Sequence, residues 1–430
     1  EIRNIVLIAN KLKEYGVDII WENIGDPVQK GEKIPGWMKN VLTEIIQDDA
    51  SYAYSPTKGV DSTRQFLADR LNSRGGVQIT PEDIIFFNGL GDAIARAYSS
   101  IQVDARMIMP EPTYSTHFMA EVLHASFPPN TYRLNPYNSW SPDMRELEQK
   151  VRSHKAIVGI LVINPDNPTG FVYPEETLRN IVRIAKENDL FLVFDETYIN
   201  IVYNGKKTVP LSDIVGDVPA ISMKGISKEL PWPGSRCGWM EVYNSGRDPI
   251  FDRFINTILH QKMSEVCSTT LPQLAIPRIM THPEYYNYLD ERRKHYEKLS
   301  NIAYNILKDV PCLMVNKTDG AFYMTIVFNE SGLNSNQTLH IKNKDVREFV
   351  ENLVKEPIEH DKRFVYYLLA ATGICVVPLT SFFTSLLGFR MTLLDKDEAE
   401  FEHTVKTIAE KFTEYTNSSG KGIQTAINLS

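Results

Sequence analysis

Cysteine is scarce in this 430-residue sequence: Cys237, Cys267, Cys312 and Cys375 are the only four, and they lie far apart. No CxxC pair or histidine-rich neighbourhood accompanies them. The spacing therefore offers neither a disulfide framework nor a metal signature, and it fits a reducing compartment. No apolar run approaches the roughly 20 residues needed to span a bilayer, and the first residues lack the pattern of a secretory signal. Positive charge is not in excess either. With 46 Lys and Arg against 54 Asp and Glu, the net charge is −8, and the chain carries no electrostatic footprint for nucleic acid or anionic lipid. Internal repeats are absent. These absences leave a cytoplasmic globular chain, long enough for about two or three domain-sized units.

What is present is a rhythm of short apolar runs that end in turn residues and alternate with amphipathic stretches. "DIIFF" (83–87) stops at "NGLG", "RMIMP" (106–110) at "EPTY", and "AIVGILVIN" (156–164) runs into "PDNPTG". The stretch "TLRNIVRIAKEND" (177–189) reads as a helix, "LFLVFDE" (190–196) as a strand after it, and "VPAISMKGISK" as the next strand. Nearly continuous apolar strands separated by helices predict an α/β unit with a mostly parallel sheet covered on both faces. A long polar helix (282–309) leads out of it, and "GAFYMTIVF" with the helical "DVREFVENLVKE" predicts a smaller α+β region. The expected division is a large domain over 46–305 and a small one formed by 1–45 with 306–430. "NESGLNSNQT" (329–338) reads as an exposed loop, and the last dozen residues are expected to lack order.

Ligands bind at the carboxyl ends of strands in open parallel sheets. The residues expected there are the Gly89-Leu90-Gly91 turn, Glu111 to Tyr114, Asn164 to Gly170, Asp195 with Tyr198, and Lys228. A Gly-flanked helix N-terminus is a phosphate site because its free N–H groups and dipole favour an anion, although such turns are often only tight connections. Asp195, at the tip of an apolar strand, fits a helix N-cap or an ion-pair partner as well as a partner for a cationic ring nitrogen. Lys228 could be a solvated surface lysine, yet its flanks "GIS" and "ELPWPG" do not resemble an exposed helix face. A lysine drawn into a pocket beside another cation loses proton affinity and becomes a usable nucleophile. Arg236, eight residues later, is the candidate second cation, and its planar fork suits a phosphate dianion. Together these groups ask for a phosphorylated, cationic aromatic bearing an aldehyde, which describes pyridoxal 5′-phosphate.

In these segments and their order the chain resembles the class I/II aminotransferases, the fold type I pyridoxal-phosphate enzymes. The resemblance covers nearly the whole chain and is closest to alanine-aminotransferase-like members. It implies a seven-stranded, mostly parallel sheet flanked by helices, with a small domain closing over the site. It also implies a homodimer whose active sites lie at the subunit interface. By this resemblance "YSPTKG" supplies Tyr54, which reaches the partner's cofactor phosphate. Backbone N–H groups of Leu90 and Gly91 in "NGLGDAI" form the phosphate cup, and Tyr114 of "EPTY" stacks on the ring. Asn167 of "NPDNPTG" and Tyr198 of "DETY" bond the ring hydroxyl, and Asp195 pairs with the ring nitrogen. Ser227-Lys228 followed by "PGSRCGW" matches the lysine and the phosphate-binding Arg236. Arg390 of "FRMTL", with Asn167, clamps the substrate carboxylate, and Gly25 of "IGDP" closes over it.

Two departures accompany the match. Gly225 stands where many members carry a Ser or Thr that also grips the phosphate. Ser264 stands where members favouring dicarboxylates place an arginine. The implied activity is transfer of an amino group between an amino acid and a 2-oxo acid by a ping-pong route. A carbon–sulfur β-lyase using the same residues is the alternative.

Overall fold

The structure is a computed structural model, and it describes residues 4–418. The final segment expected to lack order lies outside those residues. Eight strands form the larger sheet: β1 (Ile84–Phe87), β2 (Arg106–Glu111), β3 (Asn130–Asn135), β4 (Ser141–Pro142), β5 (Ile157–Ile163), β6 (Phe191–Asp195), β7 (Ala220–Gly225) and β8 (Gly238–Tyr243). Their order across the sheet is β1-β8-β7-β6-β5-β2-β3-β4. The run from β7 to β3 is parallel. The outer pairings, β1 with β8, β8 with β7 and β3 with β4, are antiparallel. Setting aside β4, a two-residue edge strand too short to show a period, the sheet is the mostly parallel, seven-stranded one anticipated.

The continuous apolar character of the strands follows from two covered faces. Successive side chains point to opposite sides of a strand. Ile84 and Phe86, Ile160 and Val162, and Leu192 and Phe194 enter one core, whereas Ile85 and Phe87, Leu161 and Ile163, and Val193 enter another. Helices such as Glu175–Glu187, with five buried apolar residues, cover the sheet. The helical and strand readings of 177–189, 190–196 and 282–309 correspond to helix Glu175–Glu187, β6 and helix Tyr285–Leu307.

A third core surrounds a four-stranded antiparallel sheet ordered Leu313–Val315, Tyr323–Phe328, Gly388–Thr392, Val377–Pro378. Helix Asn4–Glu14 packs on this core through Ile5, Ala9 and Leu12. Helix Gly36–Ile45 instead places Met38, Val41 and Ile45 on the large-sheet core, so the first 45 residues divide between the two regions. The 23-residue helix Tyr285–Leu307 touches both: Tyr285 and Leu289 enter the large-sheet core, and Tyr296, Leu299 and Ala303 enter the small one. Between the two regions, at the carboxyl ends of the parallel strands, lies a cavity of about 960 Å³.

Candidate active site

The cavity wall contains Tyr114, Asn167, Tyr198, Lys228, Arg390 and Gly25, drawn from six separated stretches of chain. Lys228 follows β7 by three residues, and its ammonium donates to the Gly25 carbonyl at 2.5 Å. A Cβ on Gly25 would overlap the Tyr323 hydroxyl, so glycine is what lets this segment pass so close to the lysine. The Tyr198 hydroxyl donates to that of Tyr323 at 3.2 Å, and both rings are buried.

Asp195 ends β6 just beneath the cavity and is 5% exposed. One of its oxygens faces His117 Nε2 at 3.1 Å, and the other accepts from the Thr197 hydroxyl at 2.6 Å and the Thr197 N–H at 3.1 Å. Burial alone would raise this carboxyl. The hydrogen bond and charge of His117, with the two bonds from Thr197, outweigh that and hold it below the usual carboxylate range. Asp195 is therefore kept as an anion in a dry setting, which is what pairing with a cationic ring nitrogen requires. His117 in turn lies 3.3 Å from the Tyr98 hydroxyl, and Tyr114 stands edge-on to it at the mouth.

Arg390, on the strand Gly388–Thr392, is the second electrostatic feature. It is 3% exposed, and among the described residues no carboxylate lies within ion-pair distance of it. Its fork donates to Asn167 Oδ1 at 3.3 Å and to the Asn23 carbonyl at 2.7 Å, and Nε has no partner at all. The guanidinium lies between the rings of Tyr323, at 4.2 Å, and Phe382, at 5.0 Å. A buried cation with unused donors, facing a cavity, is a receptor for an anion.

Outside the lining of that cavity, Gly89 caps helix Leu90–Ser99, whose Asp92 and Arg96 do line it, with φ of +83°, in the region glycine occupies most easily. The first-turn N–H groups of that helix, those of Leu90 and Gly91 among them, have no intrahelical carbonyl to bond. A Cβ at Gly89 would come 2.5 Å from the Arg236 guanidinium, so helix terminus and cation are adjacent. Arg236 is exposed and held only by long bonds of 3.4 Å to the Pro233 and Asn88 carbonyls. Ser227 is half-buried beside Lys228, and Gly225, which pairs with Gly238, brings no hydroxyl.

Tyr54 is not in this cavity. It is 84% exposed and lines a separate hollow with Asp48, Ser55 and Arg278. Sequence reasoning also passed over His117, Thr197, Tyr323 and Asn23. His117 carried a signal, because it stands three residues after Tyr114 in the first turn of helix Ser115–Ala125, one turn below the cavity rim. Tyr323 sits in a strand that reads only as core, and nothing local marks it.

The residues fit pyridoxal phosphate: an amine in a cavity, a buried carboxylate held ionised, and an open helix terminus next to a guanidinium. Comparison with known proteins agrees. Residues 18–408 match the family "Aminotransferase class I and II". The chain is 56% identical to the aminotransferase MJ1479 of Methanocaldococcus jannaschii over 415 residues, 96% of each protein. It is 28% identical to the glutamate-pyruvate aminotransferase AlaA of Escherichia coli over 319 residues, covering 74% of this chain and 76% of that one. The solved alanine aminotransferase of Pyrococcus furiosus superposes with a TM-score of 0.82 at 26% identity, over 97% of both chains. These matches favour transamination over the carbon–sulfur lyase alternative. Among the described residues no helix is long and apolar enough to cross a membrane. The chain belongs to the class I and II aminotransferases, pyridoxal-phosphate-dependent enzymes that exchange an amino group between amino acids and 2-oxo acids.

Proposed function

We propose that Lys228 is the amine that carries the cofactor and moves the substrate's proton, and that Arg390 receives the substrate carboxylate. The single observation behind this reading is the placement of Arg390, a buried guanidinium without a carboxylate, on the same cavity as Lys228. When bound, pyridoxal phosphate supplies an electron sink that makes the Cα–H of an amino acid acidic. This chain's residues do the rest. Arg390 and Asn167 fix the carboxylate, so the amino acid enters in one orientation. Lys228 takes the Cα proton as general base and returns it as general acid. Asp195, kept anionic by His117 and Thr197, would hold a proton on the cofactor's ring nitrogen. Tyr198, Asn167 and Tyr114 would hold the ring, and Arg236, Ser227, the Gly89 turn and the N–H groups of Leu90 and Gly91 would hold the phosphate.

The substrate reading is a small neutral amino acid such as alanine. Ser264 is exposed and its hydroxyl is spent on the Gln261 carbonyl. Arg96, the other arginine in the cavity wall, is already paired with Asp92 at 2.7 Å and Glu265 at 2.8 Å. Among the described residues of the cavity wall, Arg390 is thus the one arginine left without a carboxylate, and no second arginine is free for a side-chain carboxylate. Mixing the cofactor-loaded protein with single amino acids, without any acceptor, tests both points. Alanine should yield one equivalent of pyruvate per site and then stop. Continuous release of ammonia, or faster reaction with aspartate, would overturn the assignment.

We further propose a homodimer in the cytoplasm, with a large domain over 46–305 and a small one of 1–45 with 306–430, apart from helix Gly36–Ile45. The exposed Tyr54 supports the dimer, since its phenol has no ligand to meet within its own chain. Four free cysteines support a reducing compartment. Sedimentation of the holoenzyme as a monomer would remove the dimer.

A further inference from the structure

Arg292 lies about a third of the way along the helix that touches both cores, and it is buried. Its guanidinium makes five bonds. Nη1 donates to the main-chain carbonyls of Lys228 at 2.8 Å and Glu229 at 2.5 Å. Nε and Nη2 grip Glu32 at 2.7 and 3.2 Å, and Nη2 also reaches the Tyr296 hydroxyl at 2.6 Å. Tyr285, seven residues earlier and so on the same helix face, bonds the Glu229 carboxylate, which Asn200 also holds at 2.6 Å. The turn carrying Lys228 is thus clamped onto this helix from two points.

Glu32 ends a strap, residues 22–32, that runs over the cavity. The strap is fastened through the Glu22 carbonyl to the Thr392 N–H, through the Asn23 carbonyl to Arg390, and through Lys30 to Asp395 at 2.5 Å. Gly25 lies within it and caps the Lys228 ammonium. One guanidinium therefore joins the main chain of the lysine to the segment that covers its amine.

We propose that Arg292 is a positioning residue for the reaction: through Glu32 it locks the 22–32 strap to the Lys228 main chain, so that both walls of the site keep one register. A planar fork can hold one carboxylate and two carbonyls together, and a lysine cannot. The inference rests on Lys228 being the reacting amine, and loss of turnover in Lys228→Ala is the separate test of that.

The experiment is hydrogen exchange by mass spectrometry on the cofactor-loaded full chain, alongside alanine half-reaction kinetics. Arg292→Lys should speed exchange several-fold in peptides covering 20–32 and 226–232 and leave the large sheet unchanged. The half-reaction rate should fall by roughly tenfold to a hundredfold, the scale of an ångström's misplacement, with a much smaller change in half-saturation. Should Arg292→Lys not fold, Glu32→Gln decides the matter, since it keeps the side-chain shape and removes the ion pair. It should loosen the same two segments and slow the same step to a lesser degree. Arg293→Lys, whose parent side chain among the described residues bonds Asp290 on its own helix, serves as the control. Unchanged exchange in both segments, an even rise across the whole chain, or an unchanged half-reaction rate would each overturn the proposal.

Discussion

The two ends of the site are built in opposite ways. At the end proposed for the substrate carboxylate Arg390 is enclosed by Asn167, Asn23, Tyr323 and Phe382, all from one chain. At the end proposed for the phosphate Arg236 is exposed, its bonds are long, and it lies beside the N-terminus of helix Leu90–Ser99. The closed end has paid the cost of ordering in advance, which suits a small substrate with few contacts to spend. Under the proposed assignment the open end would meet a dianion that brings its own binding energy, so it needs less preparation.

Lys228 shares the cavity wall with Arg390, and removing it should have the largest effect. Lys228→Ala is expected to abolish the protein's visible absorbance with cofactor and to reduce turnover more than about a thousandfold, within the range for loss of a proton-transfer group. A variant that keeps both signals would separate the lysine from the chemistry and leave the two ends without a common centre.

Arg390→Lys should come next. The fork is lost, and a shorter-reaching ammonium enters a site with no carboxylate to balance it. Charge-assisted bonds contribute about 1.5–3 kcal/mol, so kcat/KM for alanine should fall roughly tenfold to a hundredfold while cofactor absorbance is retained. Arg236→Gln tests the opposite end and should do the reverse. Cofactor dissociation measured by dilution should speed up by no more than about tenfold, because an exposed cation contributes little, and kcat at saturating cofactor should stay close to the parent value. Equal effects of the two substitutions on cofactor retention would erase the contrast between closed and open ends.

The same contrast explains what the sequence could reveal. Asp195, Asn167 and Lys228 sit at strand ends, where a break in an apolar run marks them, and Gly89 opens a helix at a positive φ. Their positions follow from local rules. The other parts that enclose Arg390, and the Arg292 clamp on the Lys228 turn, do not. Tyr323 meets Tyr198 across 125 residues of sequence, and Arg292 meets Glu32 across 260. In each case the strand or helix period predicts a buried position and says nothing of the polar atom it carries. His117 is intermediate, since its spacing from Tyr114 was visible but its target, Asp195, was not. Tyr54, expected to reach the partner's cofactor phosphate, is exposed on its own chain and lies outside the cavity that Lys228 lines.

The smallest effect concerns Asp166, which lies beneath Asn167 at the closed end. One oxygen accepts from the Thr169 hydroxyl at 2.5 Å and the Thr169 N–H at 3.1 Å, while the other is buried without a partner. Burial, only partly offset by Thr169, pushes this carboxyl up to about 7. Because its folded value lies above the unfolded one, the folded chain holds a proton that the unfolded chain releases. Stability from this group is therefore full below about pH 4 and declines as pH rises towards 7. Glu22, raised to about 8 chiefly by burial, slopes the same way. Asp166→Asn imitates the protonated form, so it should flatten the fall in denaturant midpoint between about pH 5 and about pH 8 without abolishing it. Parallel curves for parent and variant would show that Asp166 is solvated like a residue of the open end, and the contrast would stop short of the turn that carries Asn167.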